Sequence, residues 1–418
     1  MPVREPVPSG RSGIAAVLSL LLAAHVAALL ASPRDALAAS WRQPGYSAGR
    51  SSFNPREIAV DPANVASLAE RWRVAGVGAS GSPVVADGRV FVANGEEMIA
   101  VAFADGALRW RESVAFDDQC CGVGSPVLTP DGKVTGQISW IGGGGTARYD
   151  RATGAFTYSQ ELHTGYLYRA VTGGSVYSVS FTYGSGGPLL YTLLPYGGLV
   201  FYGGLSNTTV NGLAVRGDRA YVAFGNTLQA FDLASCPDPI VSFMTFCRPL
   251  WTKSLPQRID TPVAFRESVA VVSDDGTLEV HAAADGALEW SAAIAAGIAH
   301  APAVAKRRVF VPTERGLIVA FDSRGCGSAT CDPVERFRTG SPVTGQPVVA
   351  GKVLYAGTKD GRIVAFRAAG CPEAVCDPLL DVDLGGGAIV AGPIVVDGTV
   401  IAGTADGQLV ALGLAPPG

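Results

Sequence analysis

The sequence predicts an all-β chain made of eight four-stranded antiparallel units, and three observations support this prediction. After the first 38 residues, short apolar runs alternate with Asp-Gly and Gly-Pro turns, with hardly any helical periodicity. A unit of about 45 residues recurs along the chain. The last unit stops after three strands, while the isolated stretch "ERWRVAG" at residues 70–76 precedes the first unit and matches the missing fourth strand.

The clearest unit covers residues 81–111 and shows how four strands follow from the sequence. The apolar stretches "PVVA", "RVFVA", "MIAVAF" and "LRWR" each have the length of a short strand. Asp87-Gly88 and Asp105-Gly106 separate them, and such dipeptides suit two-residue hairpins because glycine accepts positive φ. Four short antiparallel strands in a repeated unit are typical of a propeller blade.

The number of blades follows from the prolines that open the units, which are Pro83, Pro126, Pro262, Pro302, Pro347 and Pro393. Neighbouring prolines are 40 to 46 residues apart, except for one interval of 136 residues that has room for three units. The stretches "GGSVYSVSFTYGSGGPLLYTLL" and "NGLAVRGDRAYVAFGNTLQAFD" supply the two further blades within it. The prediction is therefore a single eight-bladed β-propeller domain over residues 70–418, closed by an N-terminal strand that completes the last blade.

Residues 1–38 read as an export signal peptide, and residues 39–69 as an N-terminal extension of the propeller. Arg4 and Arg11 precede the apolar run 14–31, and Ala36-Leu37-Ala38 has the pattern of a cleavage site. The apolar run is also long enough to remain as an uncleaved anchor. We expect an extracytoplasmic protein of a bacterium, either periplasmic, on the cell surface or secreted, with no membrane span once the signal is removed.

Charge excludes one class of partner. The formal net charge is −4 at pH 7, and the sequence has no run of more than three lysine and arginine residues. A mildly acidic chain without a large basic cluster is not expected to bind nucleic acid or an anionic lipid surface.

Export to an oxidising compartment predicts that the eight cysteines form disulfides. Three pairs, Cys236–Cys247, Cys326–Cys331 and Cys371–Cys376, each fall between the third and the outer strand of a blade. A metal centre would need four ligands together, whereas these pairs belong to different blades. Cys120 and Cys121 are left with each other, either as a vicinal disulfide, Cys120–Cys121, or as free thiols.

The pattern "DGxVxAFDxxDGxxxW" and the stretch "SAGRSSFNPREIAVDPANVASLAERW" at residues 47–72 resemble the pyrroloquinoline-quinone-like (PQQ-like) repeat family. That family includes quinoprotein alcohol dehydrogenases and outer-membrane assembly factors of the BamB type. In the dehydrogenases a vicinal disulfide lies against the quinone ring, and Cys120 and Cys121 match its position. The sequence departs from the dehydrogenases at residues 122–126, which carry no arginine where the family has Asn-Arg-Gly.

The loops that join one blade to the next meet at one mouth of the central channel, and they bring candidate residues together. Besides the two cysteines, the candidates are Asn211, Arg258, Asp260 and His300. Each has a structural alternative: Asp260 can cap a turn, His300 can be a hydrogen-bonded loop residue, and Arg258 can pair with Asp260.

These observations support two function classes. The first is a non-catalytic binding or assembly scaffold, without a cofactor, that takes a protein partner or a small ligand at the mouth. The second is a quinoprotein dehydrogenase that oxidises an alcohol or a sugar with PQQ and Ca²⁺. In that case the resemblance implies that Asp260 takes the proton, and that the cofactor is bound by Cys120, Cys121, Asn211, Arg258 and His300.

Overall fold

The computed structural model describes residues 40–78, 81–113, 120–140, 143–161, 168–181, 188–193, 199–204, 210–234, 248–294, 297 and 300–415. In these ranges the chain forms 34 strands and one short 3₁₀ helix. No helix in the described part is long and apolar enough to cross a membrane.

The strands of the N-terminal segment and of blades 1 to 4, with the 3₁₀ helix Val65–Ser67, are β1 (Phe53–Asn54) and β2 (Ala69–Val74); β3 (Val84–Ala86), β4 (Arg89–Ala93), β5 (Glu97–Ala102) and β6 (Leu108–Ser113); β7 (Cys120–Val123), β8 (Val127–Leu128), β9 (Lys133–Trp140), β10 (Gly143–Asp150) and β11 (Phe156–Glu161); β12 (Tyr168–Thr172), β13 (Ser175–Phe181), β14 (Pro188–Leu193) and β15 (Leu199–Gly204); and β16 (Val210–Arg216), β17 (Arg219–Phe224), β18 (Thr227–Asp232) and β19 (Trp251–Ser254). Those of blades 5 to 8 are β20 (Val263–Phe265), β21 (Ser268–Val272), β22 (Thr277–Ala282) and β23 (Leu288–Ala293); β24 (Ala303–Ala305), β25 (Arg308–Pro312), β26 (Leu317–Asp322) and β27 (Glu335–Arg338); β28 (Val348–Ala350), β29 (Val353–Gly357), β30 (Arg362–Arg367) and β31 (Leu380–Asp383); and β32 (Ile394–Val396), β33 (Thr399–Gly403) and β34 (Leu409–Gly413).

These strands form eight sheets whose blade strands are antiparallel and run from an innermost to an outermost strand, as in β20-β21-β22-β23. The short β1 adds to blade 7 and pairs with β28 in parallel. The predicted eight-bladed all-β propeller is confirmed. In the eighth sheet the order is β2-β34-β33-β32, so an N-terminal strand lies outermost on three C-terminal strands. Its register places Trp72 opposite Ala411.

The turns between the third and the outer strand follow the predicted Asp-Gly chemistry. The Asp105 carboxylate accepts the backbone N–H of Ala107 at 3.0 Å, and Gly106 has φ +73°. Asp285 and Gly286 repeat this arrangement in blade 5. A short side-chain acceptor and a glycine in the left-handed region together fix the turn.

A tryptophan of the outer strand binds each of several blades to the next. The indole N–H of Trp251 in blade 4 donates to Ala283 O in blade 5 at 3.1 Å. The same ring covers Gly286, where an added Cβ would lie 2.7 Å from a ring carbon. Trp72 and Trp110 make the same kind of bond to the following blade. The repeat therefore encodes contacts between blades as well as the blades themselves.

Two of the four predicted disulfides lie within the described residues, and both are confirmed: Cys326–Cys331 and Cys371–Cys376. Each closes a loop that covers the outer strand of the preceding blade. Ser291 in β23 exchanges backbone hydrogen bonds with Ala329 and Cys331, each at 2.9 Å. Because an unpaired strand edge invites pairing with other chains, these loops protect the edge as well as restrict the unfolded chain. Cys236 and Cys247 lie outside the described residues.

The segment 41–54 runs around the central axis and contacts the innermost strand of every blade in turn. In six of the contacts a backbone N–H of the blade donates to a carbonyl of the segment at 2.8 to 2.9 Å: the donors are Val85, Leu128, Val215, Ala264, Val304 and Val349, and the acceptors are Trp41, Arg42, Ala48, Gly49, Ser51 and Ser52 in the same order. The side-chain amides of Gln43 and Asn54 make the other two, to Val171 and Val395. Each blade offers the residue next to its first hairpin turn, so the segment closes the end of the channel opposite to the mouth.

Candidate functional site at the channel mouth

The loops between blades place Asp260, His300 and Gln346 just before the innermost strands of blades 5, 6 and 7. This end of each strand faces away from the segment 41–54. Among the described residues, the mouth is therefore the end of the channel that the segment 41–54 does not cover.

Asp260 is half-buried and held by local hydrogen bonds. Its backbone N–H donates to Val272 O at 2.9 Å, and its carboxylate accepts the N–H of Thr261 at 2.6 Å. The Thr261 hydroxyl in turn donates to Asn211 O at 2.9 Å. The carboxylate thus caps the turn that begins the inner strand, as the structural alternative predicts.

His300 is half-buried and lies within electrostatic range of Asp260. Burial lowers the pKa of His300 from its ordinary value, and the negative charge of Asp260 partly opposes that shift. A lowered pKa favours the neutral imidazole at pH 7. The mouth therefore places a carboxylate and a neutral imidazole on neighbouring blades, a combination that can accept or transfer a proton.

Asn211 is 2% exposed, and its amide group has a fixed orientation. Its Nδ2 donates to Gly225 O at 2.8 Å and to Ile259 O at 2.6 Å. Two carbonyl partners identify that atom as the nitrogen, which leaves Oδ1 as a buried oxygen without a hydrogen bond. A buried oxygen without a partner is costly, and it is the one described feature of the mouth that fits a hard cation.

Arg258 is directed to the rim of the mouth. Its guanidinium lies 3.6 Å from the carboxylate of Asp274, and both side chains are more than half exposed. The sequence suggests Asp260 as a partner for Arg258, whereas the structure pairs Arg258 with Asp274. An exposed pair of this length contributes little to stability.

Cys120 and Cys121 begin strand β7, where the sequence places them in a connecting loop. The backbone of Cys120 pairs with Trp140, and an irregularity in register separates this pair from the next, Gly122 with Ser139. The side chains of the two cysteines lie outside the described residues, so their bonding stays a prediction. The innermost strand of blade 2 is thus extended toward the mouth beyond its opening proline.

Sequence reasoning missed Arg50, which separates the mouth from the closed end. Arg50 is buried, and its guanidinium donates to Leu213 O at 3.2 Å and to Arg169 O at 2.8 Å. Gln346 donates from Nε2 to Arg50 O at 2.8 Å and to Pro302 O at 2.7 Å. The channel below the mouth is therefore a pit whose floor includes a cation from the N-terminal segment.

Around the pit, the turns between the second and third strands of blades 5 to 8 form a rim. Ser273 donates to the Asp275 carboxylate at 2.7 Å, and Thr358 donates to Asp360 at 2.6 Å. Thr404 makes the equivalent bond to Asp406. Hydrogen bonds from Ser273 and Thr404 lower the pKa of Asp275 and Asp406, so both stay ionised near neutral pH.

The part of the chain that the structure describes contains no group of three His, Cys, Asp or Glu side chains arranged to hold a metal ion. The described side chains at the mouth offer hydrogen bonding, proton acceptance and the fixed charges of the rim of blades 5 to 8.

The comparisons agree with this fold. Residues 248–415 match the family model described as "Outer membrane protein assembly factor BamB". This match covers less than half of the chain, and it agrees with the resemblance of the sequence to the PQQ-like repeat family.

Among the similar solved structures are a BamB protein and quinohemoprotein alcohol dehydrogenases. BamB from Moraxella catarrhalis is 18% identical with a TM-score of 0.60, over 83% of this chain and 99% of that one. The quinohemoprotein alcohol dehydrogenase ADHIIG from Pseudomonas putida is 13% identical with a TM-score of 0.67, over 93% and 84%. That of Comamonas testosteroni is 15% identical with a TM-score of 0.65, over 91% and 81%. At these identities the likeness shows the fold alone. No curated protein matches the chain.

Proposed function

We propose that this protein is an extracytoplasmic binding or assembly scaffold that takes a protein partner on the rim of the channel mouth. The observation that carries the proposal is the locked rim of blades 5 to 8, in which serine and threonine hydroxyls hold the turns. A preorganised surface loses little conformational freedom when a partner binds. The same four blades lie within residues 248–415, the region that matches the assembly-factor model.

The charge of the rim defines the chemistry of the partner. Exposed carboxylates of blades 5 to 8 outnumber the cations there, with Asp274, Asp275, Glu314, Asp360 and Asp406 against Arg258, Arg315 and Lys359. Complementary charge favours a partner that presents lysine and arginine and speeds its association. We therefore expect a basic, extended protein segment laid across the mouth.

The polar side chains of the pit support binding more than catalysis. Asn211 and Gln346 donate to carbonyl groups of neighbouring segments, and the Asp260 carboxylate caps its own turn. Groups engaged in this way hold the inner strands in register and shape the rim above them.

Site-specific photo-crosslinking tests the proposal. Lys359 and Lys352 are exposed residues at the two ends of β29, one on the rim and one on the opposite face. A photoreactive residue at position 359 should give a discrete crosslinked protein in the cell envelope fraction, and the same residue at position 352 should not. The same product from both positions, or none from either, contradicts a partner on the rim.

A second candidate is a quinoprotein dehydrogenase, and the unpaired Oδ1 of Asn211 is the observation that favours it. That oxygen would serve as a Ca²⁺ ligand, and Asp260 would accept the proton of an alcohol beside the neutral His300. Cys120 and Cys121 would lie against the cofactor, as the resemblance implies. Bound quinone would accept the electrons of the oxidation.

Retention of the cofactor separates the two candidates. The purified protein is incubated with PQQ and Ca²⁺, desalted, and its absorbance spectrum is recorded, with a parallel sample that contains a Ca²⁺ chelator. The scaffold proposal predicts no retained quinone. Quinone retained near one per chain, and lost with the chelator, would replace the scaffold by the dehydrogenase.

A further inference from the structure

A cavity of about 560 Å³ lies between blades 6 and 7, on the face opposite to the mouth. Five cationic side chains line it, namely Lys306, Arg307, Arg308, Lys352 and Arg367, and Asp322 is the one carboxylate among its lining residues. These residues come from the first hairpin turns and the neighbouring strand ends of two blades. A cavity of this volume is large enough for a small organic ligand.

The cations in this cleft are only partly neutralised. Arg307 lies 3.2 Å from Asp322, and Arg308 lies 3.8 Å from Glu335. Lys306, Lys352 and Arg367 have no carboxylate within ion-pair distance among the described residues. Three uncompensated cations around one cavity repel each other unless an anion binds between them.

Lys306 lies at a turn position with a left-handed backbone. Its φ is +55°, in the region that favours glycine, and Asp87, Arg266 and Asp397 have the same kind of backbone at the equivalent position of other blades. Blade 7 has Gly351 at this position, with φ +56°. Replacement of Lys306 by glycine therefore removes the charge at the cleft without straining the turn.

The wall of the cleft behind these charges is apolar. Phe310, Val349 and Ala368 line it and are themselves buried, with exposures of 1%, 0% and 8%. An apolar wall excludes water on one side, which strengthens the attraction between the cations and an anion.

The corresponding cleft between blades 4 and 5 has the same construction and a different charge. Its volume is about 660 Å³, and its charged lining residues are Arg216, Arg219, Arg266, Asp218, Asp232 and Glu267. Arg266 also has a left-handed backbone, with φ +47°. Three cations against three carboxylates give this cleft no net charge, so it is a matched control within the same chain.

We propose that the cleft between blades 6 and 7 binds a phosphate-bearing anion. Arginine forms paired hydrogen bonds with phosphate oxygens, and lysine adds a mobile point charge. Three free cations suit a group with several negative charges, such as a di- or triphosphate or a phosphorylated headgroup. The site is independent of the mouth, so it stands or falls separately from the scaffold function.

Calorimetric titration of the purified protein with inorganic tripolyphosphate at low ionic strength tests the site. Wild type should bind near one anion per chain, and added salt should weaken the binding. Lys306→Gly and Lys352→Gln should each weaken it about fivefold, the value of one charge contact near water. Arg266→Gly makes the same backbone change in the balanced cleft and should leave the affinity unchanged.

Lys306→Gly also distinguishes a loss of anion binding from a loss of stability, because it removes a residue with a strained backbone. Its melting temperature should stay within about 3 °C of wild type while the affinity falls. No binding by wild type, or equal losses for Lys306→Gly and Arg266→Gly, would overturn the proposal.

Vesicles identify the source of the phosphate. Cosedimentation with phosphatidylglycerol vesicles and not with phosphatidylcholine vesicles, lost in Lys352→Gln, would assign the cleft to a lipid headgroup. Tripolyphosphate binding without cosedimentation would assign it to a soluble phosphate compound.

Discussion

The two ends of the central channel are made from opposite ends of the same innermost strands, yet the segment 41–54 covers only one of them. At the closed end, the segment 41–54 makes a hydrogen bond to every blade. At the mouth, Asp260 and His300 stay half-buried, and the rim turns are exposed. The repeat thus builds two equivalent ends, and a non-repeating segment makes them different.

The two faces also differ in charge. The rim of blades 5 to 8 carries an excess of carboxylates, whereas the opposite face has uncompensated cations between blades 6 and 7. The net charge of the whole chain, −4, does not show that opposite charges are concentrated on opposite faces. Each face is therefore suited to a partner of opposite sign.

The largest loss of stability is expected from a substitution of Trp41 at the closed end. Trp41 is 1% exposed and packs edge-on to Tyr46 with ring centroids 5.0 Å apart. Trp41→Ala should lower the free energy of unfolding by about 3–5 kcal/mol, measured by denaturant titration. Ile58→Ala, just after the segment and at a residue 88% exposed, should change it by less than about 0.5 kcal/mol. Similar losses for the two variants would mean that the segment does not pack as described.

A smaller effect is expected from Gln346, which connects the mouth to the closed end. Gln346→Ala leaves the carbonyls of Arg50 and Pro302 without their donor, at a cost of about 2 kcal/mol in the free energy of unfolding. Gln229→Ala removes an exposed hydrogen bond to Thr252 and should cost less than about 0.5 kcal/mol. Equal stability of the two variants would show that the two ends are not coupled through Gln346.

A still smaller effect should appear in the titration of His300. Because Asp260 raises the pKa that burial lowers, Asp260→Asn should lower the pKa of His300 further. Proton NMR titration measures this shift, and His300→Gln assigns the resonance. An unchanged pKa of His300 in Asp260→Asn would show that the charge of Asp260 does not act on His300.

The smallest effect should be the pH dependence of stability that comes from His300. Its folded-state pKa lies below the unfolded value, so the unfolded chain binds the proton more readily as pH falls below about 6.5. Stability should therefore decrease from pH 7 toward pH 5 more steeply in wild type than in His300→Gln. A steeper decrease of stability in the variant would contradict the lowered pKa of the half-buried His300.

The sequence predicts the parts of the fold that repeat. Asp105-Gly106, the opening prolines and the outer-strand tryptophans recur at fixed spacing, and each performs the same local role in several blades. The disulfides Cys326–Cys331 and Cys371–Cys376 follow from the same register.

The remainder could not be predicted because it depends on contacts between distant, non-repeating residues. Nothing periodic marks Arg50, whose guanidinium binds carbonyls more than a hundred residues away. The pair of Arg258 with Asp274 depends on how two loops fold at the rim. Likewise, Lys306, Lys352 and Arg367 form no run in the sequence, and the fold brings them to one cleft.

Hydrogen exchange tests most directly the central claim that the segment 41–54 closes one end of the channel. Six of the amides that donate to carbonyls of the segment, one from each of six blades, are those of Val85, Leu128, Val215, Ala264, Val304 and Val349. These should exchange only on global unfolding, and the amide of Thr261, bound at the mouth to the Asp260 carboxylate, should exchange at least about a hundredfold faster. Rapid exchange of the six amides in the native protein would contradict the closed end and the account built on it.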